Sequence, residues 1–408
     1  MLGKAALYTF IRQSSSALIS LVANLYLAKQ LSPAGMGKYS FFMVTGSLLT
    51  TIFSFSIANI TARSIASAPS IGERESAIST SYTLMVFAIS ALIVALILSK
   101  MLGLLGDYSD LVLLYLGLYT SLSIIREWLA SVCLALEEIK VFNWIHLSSS
   151  ILFLMMLPAI NINESNWSIA AALQIASITI AIPSIAYQPL KHYIRYCRLA
   201  PGNLKSIYSY GYKIYFANLI SFISLRIQYY LIEALLGARH LGAFAIGNSI
   251  IEKSGMPAQS IATVLFPDSA KSKESPTRKS KTLKLALAAA LITALISLTI
   301  ILLSNYILLD IIGDNYRTTL VAISSLTPGI IAWSAVRVLA SDMAGRGYSG
   351  KNLIISTSVL AGVCLSILAS YQYGLGAICT AISTSYTLGL VITYILFQST
   401  YRENLLKC

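Results

Sequence analysis

Apolar runs of roughly twenty residues, separated by short polar breaks, repeat along the whole chain. Read as helices they fall at 5–28, 39–61, 77–100, 111–136, 142–160, 168–188, 208–236, 243–266, 285–305, 318–343, 353–371 and 376–398. A helix of ~20 apolar residues crosses the hydrocarbon core of a bilayer, so the pattern predicts an all-α, multi-pass membrane protein of about twelve spans. Turn chemistry marks the breaks: Ser32-Pro33-Ala34-Gly35, Asn161 to Asn166, Pro201-Gly202-Asn203 and Gly345-Arg346-Gly347. The longest connections, about 189–207 and 267–284, are short and basic. The first run is too long for the apolar core of a cleaved leader, and no small-x-small site ends it; it reads as a retained first helix.

Composition agrees. Of 408 residues, 56% are hydrophobic and 11% charged, where a soluble domain carries about 25% charged residues. Forty-five charges cap helix ends but cannot coat a soluble surface. This excludes a soluble enzyme, a secreted disulfide module and a nucleic-acid binder. The net charge of +13 is instead a matter of orientation. With the N-terminus inside, the cytoplasmic connections and the helix turns next to them carry nineteen of the 29 Lys and Arg, and the outer ones five. By the positive-inside rule both termini are expected to be cytoplasmic. The remaining five, Arg12, Arg126, Arg226, Lys253 and Arg337, lie inside expected spans. Trp144 and Trp167 stand near span ends, as interface anchors do. Five scattered cysteines and three unclustered histidines have no metal-ligand spacing. No phosphate-binding loop is present either: Gly345 to Gly350-Lys351-Asn352 lacks the hydroxyl that would hold Mg²⁺. No cofactor or metal is expected.

The chain repeats itself weakly. Segment 31–40 reads L-S-P-A-G-M-G-K-Y-S and segment 236–245 reads L-G-A-R-H-L-G-A-F-A, aligning Leu31 with Leu236, Gly37 with Gly242 and Tyr39 with Phe244. Both occupy the outer connection after the first span of a half. Two six-helix bundles in the same orientation form a parallel repeat, with a substrate cavity expected between them near the midplane. The expected organisation is 1–188 as an N-terminal bundle, 189–207 as a basic cytoplasmic linker, and 208–408 as a C-terminal bundle with a short tail.

Several segments, in order along nearly the whole chain, carry a resemblance: A-K-Q-L-S-P-A-G-M-G-K-Y-S at 28–40, R-I-Q-Y-Y-L-I-E-A-L-L-G-A-R-H-L-G-A-F-A at 226–245, V-L-F-P at 264–267, M-A-G-R-G at 343–347 and Y-G-L-G-A at 373–377. The chain resembles the bacterial O-antigen and polysaccharide flippases (Wzx-type) of the multidrug, oligosaccharidyl-lipid and polysaccharide exporter superfamily. It departs from them after the seventh-span arginine, where an acidic residue is common and this chain has Gln228. The peptidoglycan-precursor flippases of the superfamily usually have fourteen spans, against twelve here. The resemblance implies a flippase that carries an undecaprenyl-diphosphate-linked oligosaccharide from the cytoplasmic to the periplasmic leaflet, coupled to H⁺ or Na⁺ and working beside a polysaccharide polymerase.

Polar residues inside the spans are compatible with that function. A charge at the bilayer centre costs at least ~2.5 kcal/mol, so such residues face an interior or a water-filled cavity. Arg12, Ser16, Ser20 and Asn24 recur every fourth residue in the first span. Tyr215, Asn218, Arg226, Tyr229 and Glu233 stripe the seventh; Asn248, Glu252, Gln259 and Thr263 stripe the eighth. These stripes either line a cavity or hydrogen-bond neighbouring helices. Arginine holds phosphate oxygens through a planar fork and stays charged when desolvated. Arg12, Arg126, Arg226 and Arg337, with Arg63, Asn24, Asn218 and Tyr229, are therefore the expected substrate-binding residues. For Arg126 a structural pair with an acid is the alternative, and for Arg63 ordinary positive-inside placement. Glu127, Glu252 and Asp342 are expected either to couple an ion or to neutralise arginines. The multidrug exporters of the same superfamily are an alternative, but a pocket for cationic drugs should be acidic, and here bases outnumber acids inside the spans. A membrane polymerase or glycosyltransferase needs a sizeable outer loop or an acidic catalytic motif, and neither is present. The chain is not expected to be an enzyme.

Overall fold

The computed structural model describes residues 2–66, 68, 70–103, 109–160, 166–190, 204–271 and 276–405. Among these there is no strand. The helices are α1 (Leu2–Gln30), α2 (Pro33–Phe53), α3 (Ile57–Ala66), α4 (Ile71–Met101), α5 (Asp110–Ala135), α6 (Ile139–Met156), α7 (Trp167–Leu190) and α8 (Leu204–Leu236). They continue with α9 (Ala238–Ile251), α10 (Met256–Lys271), α11 (Pro276–Leu303), α12 (Leu309–Ile312), α13 (Arg317–Gly345), α14 (Ser349–Ser370) and α15 (Leu375–Leu405). Three breaks fall inside single rods. A 47° bend separates α2 from α3, the 3₁₀ turn Glu252–Gly255 joins α9 to α10, and the π turn Ser304–Leu308 joins α11 to α12. Counted as rods, the helices number twelve among the described residues, and each expected span falls on one of them to within a residue. By length and composition eight are apolar enough to cross a membrane alone, and the bent pair makes nine. Helices α9 and α10 are each too short to pass singly.

Local chemistry explains the ends. Ser70 caps α4 by accepting from the Glu73 amide at 3.3 Å, and Glu73 itself sits in the first turn, where the helix dipole favours a carboxylate. An ion pair between Lys100 and Asp110 ties the end of α4 to the start of α5. A single residue, Gly237, links α8 to α9 with φ +82°, a value that costs glycine nothing. At the α2–α3 bend the left-handed residues are Phe55 and Ser56 (φ +44° and +56°), so there the strain is borne by side-chain-bearing residues.

Two compact units result. One comprises Met1–Ala23 and Phe42–Phe222, the other Asn24–Phe41 and Ile223–Cys408. In the first, Ile65 of α3, Ile78 and Ala88 of α4, Ile124 and Cys133 of α5 and Ile145 of α6 form one core. Trp128 fills it too, its indole N–H donating to Ser81 Oγ at 3.0 Å. In the second, Val336, Val338, Leu339 and Met343 of α13 pack against Leu265, Ala289, Ile355 and Phe397 of four surrounding helices. Pro328 lies within α13. One residue on, the Gly329 amide donates to Ser383 Oγ at 3.2 Å while that hydroxyl donates to the Ser325 carbonyl at 2.5 Å. A hydroxyl of α15 is thereby inserted into one i→i−4 bond of α13, the accommodation that intramembrane prolines require. Gly329 allows it, because a Cβ there would lie 2.6 Å from Ser383 Cα.

Candidate functional site

Beyond Pro328, α13 presents Trp333 and then, about one helical turn further on, Arg337. Arg337 Nη1 reaches the 3₁₀ turn between α9 and α10, 3.7 Å from where a Cβ on Gly255 would stand. That turn carries Glu252 and Lys253 and is pinned to α11 by Ser254, whose hydroxyl lies 2.9 Å from Ser297 Oγ. Opposite it, Arg226 of α8 faces Glu252 end-on, with Nη1–Oε2 and Nη2–Oε1 both 3.5 Å. Both side chains keep just under a third of their surface exposed (29% and 28%). The Arg226 guanidinium also stands 5.7 Å above the Tyr229 ring, and the Tyr229 hydroxyl accepts from Asn248 Nδ2 at 3.1 Å. Gln228 Oε1 accepts from Tyr386 at 3.5 Å, and Tyr386 stacks on Trp333 with centroids 5.3 Å apart. Three cations, Arg226, Lys253 and Arg337, thus act on one carboxylate, Glu252.

A second ionic cluster in the same unit is built differently. Asp342 is fully buried. Its Oδ1 accepts from Ser269 Oγ (2.8 Å), Arg278 Nη2 (3.1 Å) and Nε (3.3 Å), and Thr282 (3.4 Å). Oδ2 accepts from Arg346 Nε at 2.9 Å and Nη2 at 2.8 Å. Arg346 in turn lies 4.4 Å over the Tyr401 ring. This carboxylate ties α10, α11 and α13 together, and the Arg346–Thr400 bond at 3.0 Å adds α15.

The structure brings Arg226, Tyr229, Glu252 and Arg337 into one cluster and holds Asp342 in another. Asn24 donates to Ser249 Oγ at 3.2 Å, and Asn218 to Ser56 Oγ at 3.5 Å. In the first unit Arg126 is half-buried on α5, and its Nε has no hydrogen-bond partner among the described residues. Its neighbour Glu127 is exposed, as is Arg63 on α3. Arg12 lies on α1, but its side chain is outside the described residues. The sequence reading missed Arg278, Arg346, Trp333 and Tyr386. Of these only Arg346, at i+4 from Asp342 on one helix, left a local signal.

These residues define an almost wholly helical, multi-pass membrane protein with a net-cationic cluster on its seventh, eighth and tenth rods. A family model described as "Polysaccharide biosynthesis protein" matches residues 2–273, two thirds of the sequence. The chain belongs to that family. Among curated proteins none matches. Solved structures share the fold. A multidrug resistance MATE family transporter of the MOP superfamily, inward-facing, superposes with TM-score 0.71 at 14% identity, covering 95% of each chain. The lipid II flippase MurJ in an inward closed conformation gives 0.65 at 16% identity, covering 96% of this chain and 87% of MurJ. A mutant of the Vibrio cholerae MATE transporter VcmN gives 0.61 at 14% identity, with 98% of both chains covered.

Proposed function

We propose that the protein flips an undecaprenyl-diphosphate-linked oligosaccharide, the repeat unit of an O-antigen or other surface polysaccharide, from the cytoplasmic to the periplasmic leaflet of a bacterial inner membrane. The observation that carries this reading is the Arg226–Lys253–Arg337 group around Glu252. Three positive charges against one negative leave a surplus of two inside membrane-spanning helices. A surplus of that sign serves an anionic head group, and a diphosphate diester ionised at two oxygens has the matching charge. Guanidinium forks suit phosphate oxygens better than ammonium groups do. Family membership supports the polysaccharide part of the assignment. Transport proceeds by alternating access, driven by H⁺ or Na⁺, and a polysaccharide polymerase consumes the product outside.

Purified protein in vesicles, offered a fluorescent undecaprenyl-diphosphate oligosaccharide or a cationic dye, tests the reading. Accessibility of the sugar to an external lectin should rise with protein present, and the dye should not be moved. Dye transport without lipid flipping would place the protein with the multidrug exporters instead.

A further inference from the structure

Glu252 and Asp342 are both membrane-buried carboxylates among arginines, yet they are held in opposite ways. Asp342 is completely enclosed, with donors at 2.8–3.4 Å on both oxygens. Glu252 meets Arg226 at 3.5 Å on each side, longer than the roughly 2.7–2.9 Å of a tight charge-assisted bond, and retains 28% exposure. It sits on the 3₁₀ break between α9 and α10 rather than inside a regular helix. The charged and titratable groups facing it are Arg226 and Tyr229 from α8, Lys253 from its own turn, Arg337 from α13 and Tyr386 from α15. One pair is therefore a closed joint, and the other is loose and reachable.

From this contrast we infer that Glu252 is a resident counter-ion which competes with the anionic ligand for the guanidiniums of Arg226 and Arg337, and which takes the ligand's place when the site is empty. The inference rests on the diphosphate reading above and adds to it the regulation of that site. A carrier has to pass through its cycle both loaded and empty. Three uncompensated cations at membrane depth are costly, and a carboxylate that swings onto them lowers that cost. When a diphosphate arrives, its oxygens displace the carboxylate from the forks while the total charge of the cluster falls to zero. After release the carboxylate returns, which disfavours immediate rebinding. Binding strength is thereby set below what the cationic group alone would give, and release is eased.

The test is ligand binding to the purified protein in detergent, with farnesyl diphosphate as the probe and farnesol as the control. Glu252→Gln removes the competing charge and keeps the side-chain shape. It is expected to bind farnesyl diphosphate about tenfold tighter than wild type, the size of one charge-assisted bond. Arg226→Ala should bind at least about tenfold more weakly, and farnesol should bind all three alike. If wild type binds the probe through Arg226 while Glu252→Gln is equal or weaker, the counter-ion role is overturned and the diphosphate site stands. If neither wild type nor Glu252→Gln binds, both fall. Should Glu252→Gln fail to fold, Glu252→Asp supplies the answer: it keeps the charge but withdraws it by one methylene. Glu252→Asp should then bind about threefold tighter than wild type, about half the free energy of that bond, and no gain overturns the proposal.

Discussion

Gly37 and Gly242 stand in reciprocal contact across the crossing of α2 and α9. A Cβ on Gly37 would overlap the carbonyl oxygen of Ala238, and a Cβ on Gly242 would overlap the carbonyl oxygen of Pro33 and lie 2.9 Å from the Gly37 amide nitrogen. Both pairs are separated by the same 205 residues, 37 with 242 and 33 with 238. The two contacts thus share the offset that aligns segment 31–40 with segment 236–245. Small residues let helix backbones approach this closely in a membrane, where packing rather than water exclusion drives association.

The first prediction follows from that overlap. Backbone atoms cannot turn aside as a flexible side chain can, so Gly37→Ala or Gly242→Ala forces the helices apart. Overpacking of this kind costs roughly 1–3 kcal/mol, and each variant should melt at a lower temperature than wild type in detergent. Gly72→Ala is the control: nothing lies within 4 Å of its Cβ position, and alanine favours a helix over glycine by up to ~1 kcal/mol. That variant should melt at or above the wild-type temperature.

The helices were legible because membrane spans write themselves as uninterrupted apolar runs, and the repeat was legible at Gly37 and Gly242 because backbone contact tolerates no other residue there. The bend after Phe53 was not, since Ser54, Phe55 and Ser56 include neither proline nor glycine to mark it. Residues 24–41 cluster with the C-terminal part of the chain because α2 docks its first turns on α9, a tertiary contact with no local signature. Arg226 and Glu252 could be singled out as intramembrane charges, but their partnership spans 26 residues. Asp342 was visible as a buried acid, whereas Arg278, 64 residues away at the start of α11, looked like one more cytoplasmic-side base.

Asp342 should behave as a fastener. In Asp342→Asn, Arg278 and Arg346 lose their shared counter-charge while remaining almost completely buried. Breaking a buried pair from one side costs about 3–5 kcal/mol, so this variant should be poorly recovered from membranes and melt well below wild type. Replacing the three residues together, as Arg278→Met, Asp342→Leu and Arg346→Met, removes every charge at once and should recover much of the lost stability. Equal damage from the single and triple changes would argue that the cluster does more than hold helices together.

Orientation can be read directly. Nineteen bases on one side against five on the other predict residue 163 in the periplasm and residue 273 in the cytoplasm. Single cysteines at Asn163 and Lys273, in a background lacking the native five, should be labelled by a membrane-impermeant maleimide in intact spheroplasts and only after permeabilisation, respectively. The reversed pattern would invert the direction of transport as well as the topology.

The sharpest prediction concerns the shape of the cation at 226. If the site needed only positive charge, Arg226→Lys would serve as well as arginine. The end-on approach of the Arg226 fork to two carboxylate oxygens indicates that the site is shaped for paired acceptors, which a phosphate group also offers and an ammonium cannot match. Each charge-assisted bond contributes roughly 1.5–3 kcal/mol, so Arg226→Ala should weaken substrate binding by ~10-fold to 150-fold. Arg226→Lys should recover part of this and no more. Arg337→Ala should fall in the same range, since its guanidinium shares the cluster. Surface polysaccharide in a strain lacking the chromosomal copy is the readout, with protein in the membrane quantified alongside. Graded loss in the order wild type, lysine, alanine at equal protein level supports a phosphate-gripping arginine. Full polysaccharide in the alanine variant at wild-type protein level would make Arg226 a structural partner of Glu252 and remove the basis for a cationic substrate site.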